Sequence, residues 1–313
     1  MFAQAVSCSE QPVGDAAPAS SRPLDAPPAK HSTGHCRALF TLEPRGRRDD
    51  DLTGDFVVEQ APFDRFVSER ADAWDELSHH ASTPNPFFER WNVEAACRHL
   101  LPEAAPEVIA VYRRRHDSSL PAGLCGLFLL VRGRWGAIRC WRMWGHCFAY
   151  LRTPLIRRGL EAEVLGDFFD WVCRKRADPR DADRTPALLE WDLFDGDGAI
   201  AANLHDVLND RRLLSTQAAA GSRALLLRQN DWSACVGAQL SSHHCRELRR
   251  LNRRLCEQGE LSVRGLQRPE ELDYWTDAFL HLEQSGWKGA AATAIGSDAG
   301  STSYFCTLVS EAW

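Results

Sequence analysis

Lysine is nearly absent from this chain. Of its 37 basic residues only Lys30, Lys175 and Lys288 are lysines, and the other 34 are arginines. A Schiff base or a lysine grip on phosphate therefore has three candidates. Lys30 lies in a Pro- and Ala-rich leader and Lys175 in the Arg174-Lys175-Arg176 cluster, which leaves Lys288 in the most site-like setting. No G-x-x-x-x-G-K-[ST] surrounds Lys288 and no G-x-S-x-G elbow occurs, which argues against a P-loop nucleotidase and an α/β-hydrolase. The 11 cysteines include no C-x-x-C, their number is odd, and the closest two are Cys140 and Cys147. That spacing speaks against a disulfide scaffold or a zinc ribbon and for small buried thiols in a reducing compartment. The longest apolar stretch, around residues 124–131, is interrupted by Gly126 and is too short to span a bilayer. The opening residues, Met1-Phe2-Ala3-Gln4-Ala5-Val6-Ser7-Cys8, have neither the basic nor the apolar region of a secretory signal. The expectation is a cytoplasmic protein with no membrane insertion.

What is present sets the scale. A chain of 313 residues suggests two domains at about 150 residues each. The net charge of −6 argues against a surface that grips nucleic acid throughout, although a local basic patch is compatible with it. Residues 1–52 are rich in Ala, Pro, Ser and Gly and end in a charged run, so they predict a disordered leader. His31, His35 and Cys36 in that leader lack a fourth ligand and do not define a metal site. Residues 53–235 alternate helical and strand patterns. Helices are predicted over 64–80, 93–100, 160–176 and 200–209, and strands over 108–112, 121–131, 137–144, 187–193 and 222–227. Residues 236–313 begin with an arginine-rich helix over 241–258, followed by a strand over 261–266, an amphipathic helix over 269–285 and a final helix over 303–313.

Several segments in this order resemble one family. They are Thr83-Pro84-Asn85-Pro86-Phe87-Phe88-Glu89, Arg152-Thr153-Pro154-Leu155-Ile156, residues 190–198, the arginine helix around Arg249 and Arg250, and above all Ser285-Gly286-Trp287-Lys288-Gly289. Together they resemble the CelD/BcsL-type acetyltransferases of the GNAT superfamily, associated with cellulose and exopolysaccharide production. The resemblance runs from about residue 56 to the end. It implies an α/β (α+β) class built from tandem GNAT-like folds, each a mixed sheet flanked by helices, the first degenerate and the second incomplete at Trp313. It also implies acetyl-CoA or another acyl-CoA as co-substrate, no metal, and transfer of an acyl group to an amine or hydroxyl of a small-molecule or saccharide acceptor. In such a fold the CoA pyrophosphate rests on backbone N–H groups at a helix N-terminus that follows a splayed strand. The usual phosphate-binding pattern would lie beyond Trp313, and Arg157-Arg158-Gly159 in the first unit lacks its second glycine.

Gly286, Trp287, Lys288 and Gly289 are the candidate acceptor-binding residues, with Trp287 stacking on a ring and Lys288 meeting an anion. A plain alternative is that Gly286 is a left-handed helix cap held by a contact from Trp287. Arg249 and Arg250 are candidate phosphate contacts, against the reading of a solvated outer helix face. No catalytic residue is assigned. Trp135, Trp141 and Trp144 read as sheet core before sugar platform, and Asp192, Asp195 and Asp197 read as turn chemistry before a carboxylate pair. Two further functions stay open: a non-catalytic remnant or binding module, and a Fem-like aminoacyltransferase with tRNA on the arginine helix.

Overall fold

The apolar run that begins after residue 121 becomes the spine of a mixed sheet. In the computed structural model, which describes residues 32–42, 56–114, 123–178, 180–181, 185–224, 231 and 240–313, strand β4 spans Gly123–Trp135 and is buried without interruption from Leu124 to Leu130. A strand covered on both faces reads as a continuous apolar run, not an alternating one. Phe128 stacks on Phe168 at 4.0 Å, while the alternating Leu127 and Leu129 point to the other face and are fully buried as well.

The other strands are β1 (Ser32–Thr41), β2 (Phe56–Pro62), β3 (Glu107–Arg113), β5 (Ile138–Met143), β6 (Leu155–Ile156), β7 (Leu188–Asp195) and β8 (Ser215–Ala224). Their order is β2-β3-β4-β5-β7-β1-β8, with β6 paired to β4. The β5–β7 pair is parallel, with Arg142 opposite Glu190, and the other pairings are antiparallel. Helix α1 (Phe63–His80) and helix α2 (Arg90–His99) fall between β2 and β3. Helix α3 (Glu161–Ala177) provides the crossover between the parallel strands, and α4 (Ala199–Asp210) packs beside α3. Trp191 of β7 is enclosed by Phe40, Phe128, Phe168 and Phe169, which ties β1 and α3 to one core.

The mixed sheet with flanking helices bears out the α/β (α+β) class at that coarse level. Two expectations are corrected. Ser32–Thr41, assigned to a disordered leader, forms β1 in the sheet interior, because β7 and β8 offer hydrogen-bonding edges on either side of it. Leu42, next after β1, is buried in the core, while leader residues 1–31 and 43–52, and residues 225–227 of the last strand expected in the first unit, lie outside the described residues. The strand expected over 261–266 is not formed. Leu261 and Val263 are exposed, Val263 at 92%, and a lone alternating segment with no partner strand has nothing to bury its apolar side against.

Residues 240–313 are instead helical, with α5 (Ser242–Cys256), α6 (Leu272–Ser285), the single turn α7 (Trp287–Ala290) and α8 (Ala299–Ala312), and no strand among the described residues. Ser241 caps α5 by accepting the His244 N–H, as its sequence suggests. Helix α8 packs on α2, so the C-terminal segment returns to the first unit.

Candidate functional site

The Ser285-Gly286-Trp287-Lys288-Gly289 element links α6 to α7. Gly286 terminates α6 in an extended conformation, φ −97° and ψ −164°, so the left-handed cap expected there is not used. Gly289 is the glycine that the geometry demands, since a Cβ there would overlap the carbonyl of Gln284. Trp287 projects outward at 76% exposure and forms no packed cap. Lys288 donates to the Glu283 carboxylate at 2.6 Å, and the same carboxylate accepts the Ile295 N–H at 2.8 Å. These two donors, Lys288 foremost, hold the Glu283 carboxyl below the ordinary range. The loop therefore presents a bare indole beside a neutralised lysine. A groove of about 490 Å³ at the other end of α6, lined by Val263, Arg264, Tyr274 and Trp275, contains none of the four candidate residues.

Arg249 is exposed, and Arg250 is bound to Glu247 through Nε at 2.8 Å. Helix α5 buries no residue, and its Leu248, Leu251 and Leu255 stripe is about half exposed. No hydrogen bond or ion pair of Arg250 reaches the 285–289 element; its carboxylate partner lies on its own helix.

A second locus gathers three of the motifs noted in the sequence. Beyond Arg142 and Glu190 the parallel strands part. The Trp144 N–H stays with β4, donating to the Leu129 carbonyl at 2.8 Å, while the Arg152 N–H donates to the Leu193 carbonyl at 2.9 Å. The intervening chain fills the opening. Thr153 is its hub: its carbonyl accepts from Asn85 Nδ2 at 2.7 Å and its hydroxyl accepts the Asp195 N–H at 2.9 Å. Arg152 pairs with Asp192 at 2.7 Å. A Cβ at Gly198 would overlap the Asp195 carboxylate and approach the Thr83 hydroxyl at 3.6 Å. Residues around 83–89, 152–156 and 190–198 thus converge, which their separation in sequence conceals. Asp195 also accepts the Asp197 N–H at 3.1 Å, the turn chemistry expected there. Trp141 and Trp144 are buried in the core, and Trp135 is partly exposed.

Next to this locus lies a buried polar group that the sequence reading missed. The Tyr304 hydroxyl, on α8, donates to Asn92 Oδ1 at 2.8 Å and lies 3.4 Å from His146 Nε2. All three residues are buried, and His146 Nδ1 has no partner. Burial, aided by the Arg152 charge, lowers the His146 pKa to about 4, and burial raises that of Tyr304. Phe148 stacks on the Tyr304 ring, and Trp144, expected as core from the sequence, lies beside His146.

The N-terminus of α3, which follows the parted strands, carries carboxylates of its own, Glu161 and Glu163. Gly159 adopts φ +81° and its N–H donates to the buried Glu161 carboxylate at 3.1 Å. A carboxylate in the first turn of a helix sets negative charge against the positive end of the dipole, as an anionic ligand would.

Among the described residues no group of His, Cys, Asp and Glu is arranged to hold a metal ion, and no helix is long and apolar enough to cross a membrane. No model of a known protein family matches the chain, and no curated protein is significantly similar to it.

Proposed function

We propose that the chain is part of a GNAT-type acyltransferase that moves an acyl group from acyl-CoA to an amine or hydroxyl, with a saccharide precursor as the acceptor class. The observation that carries this reading is the convergence of the 83–89, 152–156 and 190–198 segments at the parted end of the parallel β5–β7 pair. Segments that resemble a single family separately also meet in space. In this reading the first unit is the degenerate member of the tandem. Its strand opening is occupied by residues 145–153, and the Glu161 carboxylate stands in the first turn of α3, where its charge opposes that of a CoA phosphate. The 285–289 element supplies the acceptor contact through Trp287, which is free to stack on a ring. Direct transfer would need a base for the acceptor proton and donors for the tetrahedral oxyanion, and those belong to the second unit.

Calorimetric titration of acetyl-CoA tests the assignment. Saturable binding is expected for the protein in its natural full length. Absence of binding by that protein overturns the acyltransferase reading.

A binding module without catalysis is the second reading, favoured by Glu161 in the α3 N-terminus and by Glu283 on Lys288. It predicts a protein that engages acceptor saccharide through Trp287 while ignoring acetyl-CoA.

A further inference from the structure

Glu190 lies midway along β7, directly across from Arg142 on parallel strand β5. Its side chain is 1% exposed, so its charge requires close partners. It has two. Arg37 of β1 donates through Nε to Glu190 Oε1 at 2.6 Å, and Arg142 Nε lies 2.7 Å from Oε2. Oε2 has no hydrogen bond of good angle despite this close approach. One arginine per carboxylate would neutralise the site. A second leaves an excess positive charge, and both guanidinium-bearing side chains are about 40% exposed, at 39% and 41%.

Both arginines are also held in place by groups other than Glu190. The Arg37 guanidinium sits 4.9 Å from the ring centroid of Trp135, itself 37% exposed. The stem of Arg142 lies flat across Gly133, where any Cβ would overlap it. Two residues along β7, the Arg152–Asp192 pair closes the strip with no net charge.

We propose that Arg37 and Arg142 form a binding site for a phosphate group, with Trp135 at its margin. A tetrahedral dianion accepts hydrogen bonds in several directions and suits two half-exposed guanidinium groups that share one carboxylate anchor. Fixing long side chains before the ligand arrives removes much of the ordering cost that weakens surface arginine sites. This inference does not rest on the acyl-transfer reading: a chain that binds phosphate and not acetyl-CoA retains it.

Calorimetry on the full 313-residue chain, with inorganic phosphate and with AMP, tests the site. One saturable phosphate site per chain is expected. Arg142→Gln and Arg37→Gln each weaken it at least tenfold, and Arg180→Gln, at an exposed arginine elsewhere, leaves it unchanged. Glu190→Gln tightens it, because the carboxylate that offsets one arginine is gone. Arg142→Lys keeps the charge beside Glu190 and loses the planar fork, so it folds even where the glutamine variant fails, with affinity reduced several-fold. AMP binding more tightly than phosphate, with the gain lost in Trp135→Leu, assigns a ring-bearing ligand; equal affinities assign the phosphate group alone. No saturable binding by the unaltered chain, or equal affinity in Arg142→Lys and the parent, overturns the proposal.

Discussion

The Tyr304 hydroxyl donates to the Asn92 side-chain carbonyl at 2.8 Å, joining the last helix to the second one across 212 residues of sequence. Because both groups are buried, neither has water as a substitute partner when the bond is cut.

Tyr304→Phe keeps the ring stacked against Phe148 and strands Asn92 Oδ1. The loss is expected to be about 1–3 kcal/mol, the range for a buried polar group left unsatisfied. Urea denaturation of Tyr304→Phe, Asn92→Ala and the double variant checks it. A coupling energy near zero in that cycle would show that the two side chains stabilise the junction independently.

The same junction makes stability depend on acid. His146 is neutral in the docked state with a pKa near 4, whereas an accessible histidine titrates near 6.5. Between these values the opened state binds more protons than the folded one. Stability is therefore full above pH 6.5 and falls as the pH drops toward 4, by as much as about 3 kcal/mol. His146→Phe removes this slope while filling the space with a ring. Denaturation midpoints at pH 7.5, 6 and 5 should fall for the parent and fall distinctly less for the variant.

Much of the first unit was legible in its residues. Strand β4 announces itself by a run of large apolar side chains, and α5 by its Ser241 cap and leucine stripe. Strand β1 did not, because Ser32-Thr33-Gly34-His35-Cys36-Arg37 carries no alternating apolar face; β7 and β8 supply the pairing that its composition does not. The opposite error at 261–266 has the same root. Leu261 and Val263 have strand chemistry and no neighbouring edge. For the site, the motif residues were visible one segment at a time. That Thr153 would join Asn85 to Asp195, or Tyr304 would reach Asn92, is information about distance in space that periodicity does not hold.

Two glycines of the 285–289 element should respond unequally to substitution. Gly286 is extended, and the nearest atom to a Cβ there is the Glu283 carbonyl oxygen at 3.9 Å. Gly286→Ala is expected to change stability by less than about 0.5 kcal/mol. At Gly289 a Cβ meets backbone of Gln284, which cannot swing aside as a side chain does. Gly289→Ala should cost about 2 kcal/mol or more locally and expose the α6–α7 link to proteolysis. Equal cleavage rates for the two variants would mean that the close approach is not needed to hold the loop.

Glu161 tests whether the α3 N-terminus depends on its own carboxylate. The side chain accepts the Gly159 N–H and places negative charge at the positive end of a 17-residue helix. Glu161→Ala removes both contributions and should lower stability by about 1–2 kcal/mol. Glu161→Gln retains an acceptor oxygen and loses the charge, so its loss should be smaller and should shrink further in high salt, where the dipole is screened. Urea denaturation of both variants at two ionic strengths separates the two parts. A salt-independent difference between them would assign the role to the hydrogen bond geometry and leave the helix dipole without a share.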